Sequence, residues 1–212
     1  MWFDHVEAAA KVAELEPRYV FVVDPTDPSV DVITERAPEC TLVEVEDRRA
    51  LDARVWSTGR YRRMVELRNL LLGAVRHAGP DLFLSLDSDV LLHDQALALM
   101  VEDLERFDAV GTKCYMTPTG TSAPSYGNLG RVGTLQRVDS GGVFSCQVIM
   151  AAKLMSPRAY AVDYQFDLQG EDIGWSKACA LAGVRLGWDG RVGSKHVMSP
   201  GMLVEVDLRV GF

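Results

Sequence analysis

Apolar residues recur three and four apart at the start of the chain, at Trp2, Val6, Ala9 and Ala13. That spacing predicts an opening helix, with Pro17 marking its exit. From Tyr19 to Asp24 the pattern becomes continuous and β-branched ("YVFVVD"), as in a strand buried on both faces, and "PTDPSVD" turns the chain. A second strand is expected over Thr41–Glu46, after a short irregular or helical link. Met64, Leu67, Leu71 and Val75 then line one face of a helix that Gly79 and Pro80 stop.

"DLFLSLDSDVLL" reads as the next strand, and "HDQALALMVEDLERF" as a helix with Leu97, Met100, Leu104 and Phe107 inward and His93 or Asp94 at its start. "DAVGTKCYM" returns as a strand. Strands alternating with amphipathic helices over residues 1–115 predict an α/β fold built on a mostly parallel, mixed sheet covered on both faces. Thr117 to Arg137 lacks periodicity and is rich in Pro, Gly, Ser and Thr, which predicts a long substrate-side loop. "GGVFSCQVIMAAKLM" reads as a strand running into a short helix. A further helix begins near Glu171 and Asp172 and ends at Gly183, and "VRLGWDG" and "MLVEVDLRV" read as strands. Nothing divides the chain, so 1–212 is expected to be a single domain, with 1–115 as its nucleotide-binding half and 116–212 as its acceptor and catalytic half.

Composition changes this picture little. The chain of 212 residues is 48% hydrophobic and 25% charged, which suits an ordinary globular core. Its net charge of −8 argues against a general polyanion-binding surface, so nucleic acid is not an expected partner. Cys40, Cys114, Cys146 and Cys179 form no CxxC pair and read as free thiols in a reducing compartment. No apolar run approaches the roughly 18 residues that span a bilayer, and no leader pattern opens the chain. A cytoplasmic location is expected, and peripheral membrane association stays compatible with it.

The candidate chemistry sits at strand ends, where open α/β sheets gather ligands. Asp87 and Asp89 follow a buried strand, and two close carboxylates repel unless a cation lies between them. Mg²⁺ or Mn²⁺ would relieve that repulsion and is commonly shared with substrate phosphates. A solvated or capping turn would show the same two residues, but the apolar strand before them favours the site. Glu171 and Asp172 in "GEDIGW" open a helix, whose dipole keeps a carboxylate ionised and suited to act as base or ligand; a plain acidic first turn is the other reading. His196 in "GSKHVM" could complete a carboxylate metal site or be structural. Gly141 and Gly142 in "DSGGVF" either admit a ligand to the backbone or form a turn.

In this order, "VVDPTDPSVD", "ELRNLLL", "LFLSLDSDV", "GGVF", "GEDIGW" and "HVM" resemble the nucleotide-sugar-dependent glycosyltransferases of the GT-A (Rossmann-like) fold. The likeness runs from about Tyr19 to Met198 and is to the family-two-like inverting branch, with mannosyltransferase-like features in "LSLDSDV" and "GEDIGW". It implies transfer of a sugar from a UDP- or GDP-sugar donor to a hydroxyl of a carbohydrate, lipid or protein acceptor. On that resemblance Asp89 and His196 bind Mn²⁺ or Mg²⁺, and Asp87 binds the metal or the ribose. Asp24, Asp27 and Arg68 contact the nucleotide, and Gly141 and Gly142 line the donor sugar. Asp172 is the implied base, Glu171 supports it, and Trp175 stacks on the acceptor sugar.

In that family a strand precedes the helix that opens this chain. Either the chain starts late, another segment such as "MLVEVDLRV" fills the place of that strand, or donor binding is altered. Self-association to a homo-oligomer would also cover an open sheet edge. The competing readings are a sugar nucleotidyltransferase and a glycosyltransferase-like domain that binds without turnover.

Overall fold

The computed structural model describes residues 1–46, 57–115, 127–129, 135–137 and 141–197. The elements run α1 (Trp2–Val12), β1 (Val20–Val23), α2 (Ser29–Arg36), β2 (Thr41–Glu44), α3 (Thr58–Ala78), β3 (Phe83–Leu86), β4 (Val90–Leu91) and α4 (Ala96–Asp103). They continue with β5 (Ala109–Tyr115), β6 (Gly127–Leu129), β7 (Leu135–Arg137), β8 (Val143–Ser145), β9 (Ala152–Met155), α5 (Pro157–Tyr160), α6 (Glu171–Leu181) and β10 (Leu186–His196).

Local chemistry explains the boundaries of the principal helix. The Ser57 hydroxyl accepts the Arg60 N–H at 3.3 Å and caps the start of α3. At its far end Gly79 takes the left-handed conformation, φ 60°, and returns its N–H to Val75, so the helix stops where glycine makes that turn inexpensive.

The central sheet runs β3-β9-β5-β10-β4, with β8 also paired to β10. Its outer faces carry two cores. Val6 and Ala10 of α1 pack with Leu97 and Met100 of α4 and with Leu154, while Leu72 and Val75 of α3 pack with Trp175 and Cys179 of α6 and with Met155. Leu154 and Met155 are consecutive in β9, so the period-two alternation of a strand sends them to opposite cores. The fold is therefore an α/β domain with a mixed sheet between helices.

Several expectations need correction. The sheet is mixed but not mostly parallel among the described residues: β10 runs parallel to β5, whereas β9 lies antiparallel to both β3 and β5, and β4 and β8 antiparallel to β10. The second half of the chain thus threads between strands of the first, and the two expected halves share one sheet. "DLFLSLDSDVLL" is two strands, because the Val90 N–H closes a turn on the Asp87 carbonyl and sends β4 to the other end of the sheet. "KLM" belongs to β9 rather than a helix; flanked by β3 and β5, it finds sheet partners that periodicity does not reveal. Within the expected long loop, β6 and β7 pair antiparallel. The α4 helix ends before Leu104 and Phe107. "MLVEVDLRV" lies outside the described residues.

β1 and β2 pair parallel as a separate two-stranded sheet. Trp2, Phe3, Tyr19 and Phe21 pack their rings at centroid distances of 5.2–6.4 Å and hold α1 against it. All four cysteines are free thiols, and burial pushes Cys146 and Cys179 up to about 12. No helix among the described residues is long and apolar enough to cross a membrane.

Candidate active site

The turn after β3 places Asp87 and Asp89 at the carboxyl end of the sheet. The Asp87 N–H donates to Ala151 O at 3.2 Å, and the Trp2 indole N–H donates to the Asp87 carbonyl at 3.2 Å. These bonds fix the backbone and leave the two carboxylates to different partners.

Asp89 meets His196. The last residue of β10 pairs with Val90 of β4, which brings His196 Nε2 to 3.0 Å from Asp89 Oδ2, while the Val197 N–H donates to the Asp89 carbonyl at 2.7 Å. Residues 107 positions apart in sequence thus converge on one point because β4 and β10 are neighbours. Asp87 faces the other way: its Oδ1 accepts from the Arg68 guanidinium, carried by α3. Burial opposes the Arg68 charge, but Asp87, with Tyr164 and Asp172 beyond it, outweighs this and holds its pKa above the ordinary arginine value.

Glu171 and Asp172 open α6 as expected, and both are buried. A residue that the sequence reading passed over explains how. Lys153, in the middle of β9 and fully buried, donates from Nζ to Asp172 Oδ1. Its ammonium lies 5.2 Å from the centre of the Tyr164 ring and 5.4 Å from that of Trp175, so two aromatic faces and one carboxylate replace its water. Burial works against this charge, and Asp172 more than offsets it, raising the Lys153 pKa. Glu171 sits beside this pair without sharing it. Burial, and then the negative charge of Asp172, hold its pKa above that of an ordinary glutamate.

α3 is pinned to the same region by Asn69, which exchanges two hydrogen bonds with the Tyr164 backbone at 3.0 and 2.8 Å. Arg68 and Asn69 are adjacent, so the bond that docks the helix also aims the guanidinium. The signal for Lys153 was present in the sequence: one charge inside "MAAKLM", a run otherwise without polar groups.

The remaining candidates stand elsewhere or serve otherwise. Asp24 Oδ1 accepts from the Thr26 N–H and hydroxyl at 2.9 and 2.6 Å, and Asp27 Oδ1 accepts from the Ser29 N–H at 2.8 Å, which holds the Asp27 pKa low. Both lie in the turn after β1. The Gly142 carbonyl accepts from Gly190 at 3.0 Å, and a Cβ built at Gly142 would meet nothing within 4 Å, so space is open there. Trp175 corrects an expectation. It is fully buried, stacks on Tyr164 with centroids 5.8 Å apart, and donates to the Val162 carbonyl, so its ring has no face left for a sugar.

Among the described residues no group of three or more His, Cys, Asp or Glu converges on one point. Asp89 and His196 nevertheless supply one oxygen and one nitrogen donor within 3.0 Å of each other. That donor set fits a Mg²⁺ or Mn²⁺ whose remaining ligands come from phosphate and water.

No family model matches the chain, and no curated protein is similar to it in sequence. Its fold is similar to several solved structures. One is A197 from STIV, with a TM-score of 0.51 at 13% identity over 86% of this chain and 87% of that one. The inositol-1-phosphate CTP transferase from T. maritima gives 0.52 at 12% identity, over 94% and 77%. GalNAc-T7 with UDP, GalNAc and Mn²⁺ gives 0.54 at 10% identity over 84% of this chain, which spans only 37% of that one. At such identities the likeness is one of fold, and the fold is GT-A-like.

Proposed function

We propose that this protein is a metal-dependent transferase acting on nucleotide sugars, and specifically a glycosyltransferase that moves a sugar from a UDP- or GDP-sugar to an acceptor hydroxyl with inversion. The observation that carries this reading is the contact of Asp89 with His196 at a sheet end, with the buried Glu171 and Asp172 opening a helix of the same domain. The neighbours in fold include a protein solved with UDP, GalNAc and Mn²⁺, which agrees with the reading.

Asp89 and His196 would hold Mg²⁺ or Mn²⁺, which offsets the charge on the leaving diphosphate. Arg68 adds a fixed positive charge beside Asp87 and orients that carboxylate toward the ribose side of the donor. Asp24 and Asp27 stand at the end of β1 for the nucleotide, and Gly141 and Gly142 keep side chains out of the sugar pocket.

Proton removal falls to the Glu171 and Asp172 pair. The Asp172 carboxylate already accepts from the buried Lys153 ammonium, which leaves Glu171 as the carboxylate of the pair that meets the acceptor proton. Glu171, with its raised pKa, is closer to the value a general base needs near neutral pH. Asp172 then sustains the basicity of Glu171 through its negative charge, which reverses the roles that the sequence resemblance implied.

Sugar nucleotidyl transfer is the second reading. The cations Arg68 and Lys153 close to two carboxylates favour it, as do the CTP transferase and the UTP-bound UGPase from Acinetobacter baumannii (TM-score 0.52 at 14% identity) among the neighbours in fold.

A panel of UDP- and GDP-sugars with Mn²⁺ or Mg²⁺ tests the assignment by nucleotide release, run beside a panel of nucleoside triphosphates and sugar phosphates read by diphosphate release. Asp89→Ala is expected to abolish the metal-dependent rate, and Glu171→Gln to lower kcat by roughly 10²–10⁴. Full activity in both variants overturns the mechanism, and diphosphate release alone selects the nucleotidyl reading.

A further inference from the structure

Strand β10 changes register partway along its length. It follows β5 residue for residue from Leu186, beside Ala109, to Asp189, beside Thr112. The next pair is Gly193 with Lys113, so β10 takes four steps where β5 takes one, and Gly190, Arg191 and Val192 form a bulge of three extra residues.

An odd number of extra residues reverses the face of every side chain after it, because strand side chains alternate with period two. Asp189 lies beside Thr112, on the face of Val110 and Cys114, which belong to the core under α1 and α4. Strict alternation from Asp189 would turn Ser194 and His196 to the opposite face, that of Ala109, Trp188 and α6. With the bulge, Ser194 stands beside Cys114 instead, and His196 shares its face and reaches Asp89. Position along the strand changes too. Without the extra residues Val192, and not Lys195, would stand beside Tyr115, and His196 would lie about 10 Å beyond its place next to Val90.

Arg191 holds the bulge from within. Its backbone N–H and Nε donate to Asp189 Oδ1 at 2.8 and 3.0 Å, and Nη2 donates to Asp189 Oδ2 at 3.0 Å, so the guanidinium grips the carboxylate that precedes the bulge. The same fork reaches α4, where Nη2 donates to Asp103 Oδ2 at 3.0 Å and to the Leu99 carbonyl at 3.4 Å, and Nη1 to Glu102 Oε2 at 3.3 Å. Asp189 and Asp103 are both buried, and a buried carboxylate needs such a partner. Two further bonds close the loop: the Thr112 hydroxyl donates to the Val192 carbonyl at 3.2 Å, and the Gly190 N–H to the Gly142 carbonyl at 3.0 Å.

We propose that Arg191 is a positioning residue for the metal site: by holding the β10 bulge against α4 it brings His196 onto the face, and to the level, of Asp89. This rests on the reading of Asp89 and His196 as ligands of Mg²⁺ or Mn²⁺. The role requires a planar fork, which joins Asp189 to Asp103 and Glu102 at once; lysine supplies the charge as a single point.

The test uses the full chain, with Mn²⁺ alone as the probe. Arg191→Lys keeps a cation among the carboxylates, and Asp103→Leu cuts the anchor to α4 while removing a buried charge, so the two variants burden the fold differently. Both are expected to raise the Kd for Mn²⁺, read from the paramagnetic resonance of the free ion, by roughly tenfold or more, as loss of a group that orients a metal ligand does. Hydrogen exchange by NMR adds a readout that needs no metal. The Val197 N–H, which donates to the Asp89 carbonyl at 2.7 Å after the bulge, should exchange roughly tenfold faster in both variants. The Cys146 N–H, which donates to the Leu186 carbonyl at 3.1 Å before the bulge, should keep its wild-type rate. Equal acceleration of the two amides, or a wild-type Kd in both variants, overturns the positioning role and leaves the metal reading standing. Identical Mn²⁺ titrations of the wild type and Asp89→Ala overturn the metal reading, and the positioning role with it.

Discussion

At the scale of single residues, Lys153 organises the centre of the candidate site. A fully buried ammonium is tolerated because Asp172 answers its charge and two rings lie against it. Replacing Lys153 by Met leaves the Asp172 carboxylate buried without its cation, and a broken buried pair costs about 3–5 kcal/mol. Urea unfolding of Lys153→Met should show a loss of this size, and adding Asp172→Leu should restore part of it, because the uncompensated charge is then gone. Additive losses in the double variant would mean that the two side chains do not act as a pair. The reading from sequence found Asp172 through its place at a helix start, but Lys153 came to it from β9, nineteen residues upstream. Which buried charge answers which depends on strand register.

At the scale of elements, two helix glycines with the same sequence appearance have opposite consequences. Gly174, in α6, lies so close to the segment before the helix that a Cβ there would stand 1.8 Å from the Gln165 carbonyl oxygen. Gly73, in α3, would add a Cβ with nothing within 4 Å. Gly174→Ala must therefore displace backbone and should destabilise by about 1–3 kcal/mol or more, as overpacking does. Gly73→Ala should stabilise by roughly 0.5–1 kcal/mol, because it lowers the entropy of the unfolded chain in a helix interior. Thermal unfolding of the two variants checks both signs, and a neutral Gly174→Ala would show that α6 is not packed this closely. Helix α3 was legible from its apolar stripe and its Gly79-Pro80 stop. The split of "DLFLSLDSDVLL" into β3 and β4 was not, since both pieces are apolar and only their different partners, β9 and β10, separate them.

At the scale of the whole molecule, the carboxylates divide by the direction in which folding moves their protons. Asp4 is held down to about 2 by the amino terminus and Arg36, and Asp27 and Asp108 are also lowered. Stability from these groups is present above the ordinary carboxylate range and is lost as pH falls. Asp103 moves the opposite way: burial and the nearby Asp189 raise it to about 6, against the pull of Arg191. The folded protein thus holds a proton on Asp103 that the unfolded chain releases near its ordinary pKa of 3.8, so this stabilisation is present below that value and is lost as pH rises toward about 6. The urea midpoint should fall between about pH 4 and 6, and Asp103→Asn should flatten that slope. An unchanged slope in the variant would assign the proton elsewhere.

The sequence by itself determined the α/β class, the helices α1, α3 and α6, and the strand end that carries Asp87 and Asp89, because apolar period and turn chemistry are local properties. Only the tertiary structure decided that His196 meets Asp89, that Arg68 takes Asp87, that Trp175 belongs to the core, and that β1 and β3 stand in separate sheets. Each of these depends on which strands lie side by side, and that order is set by the packing of distant segments against one another.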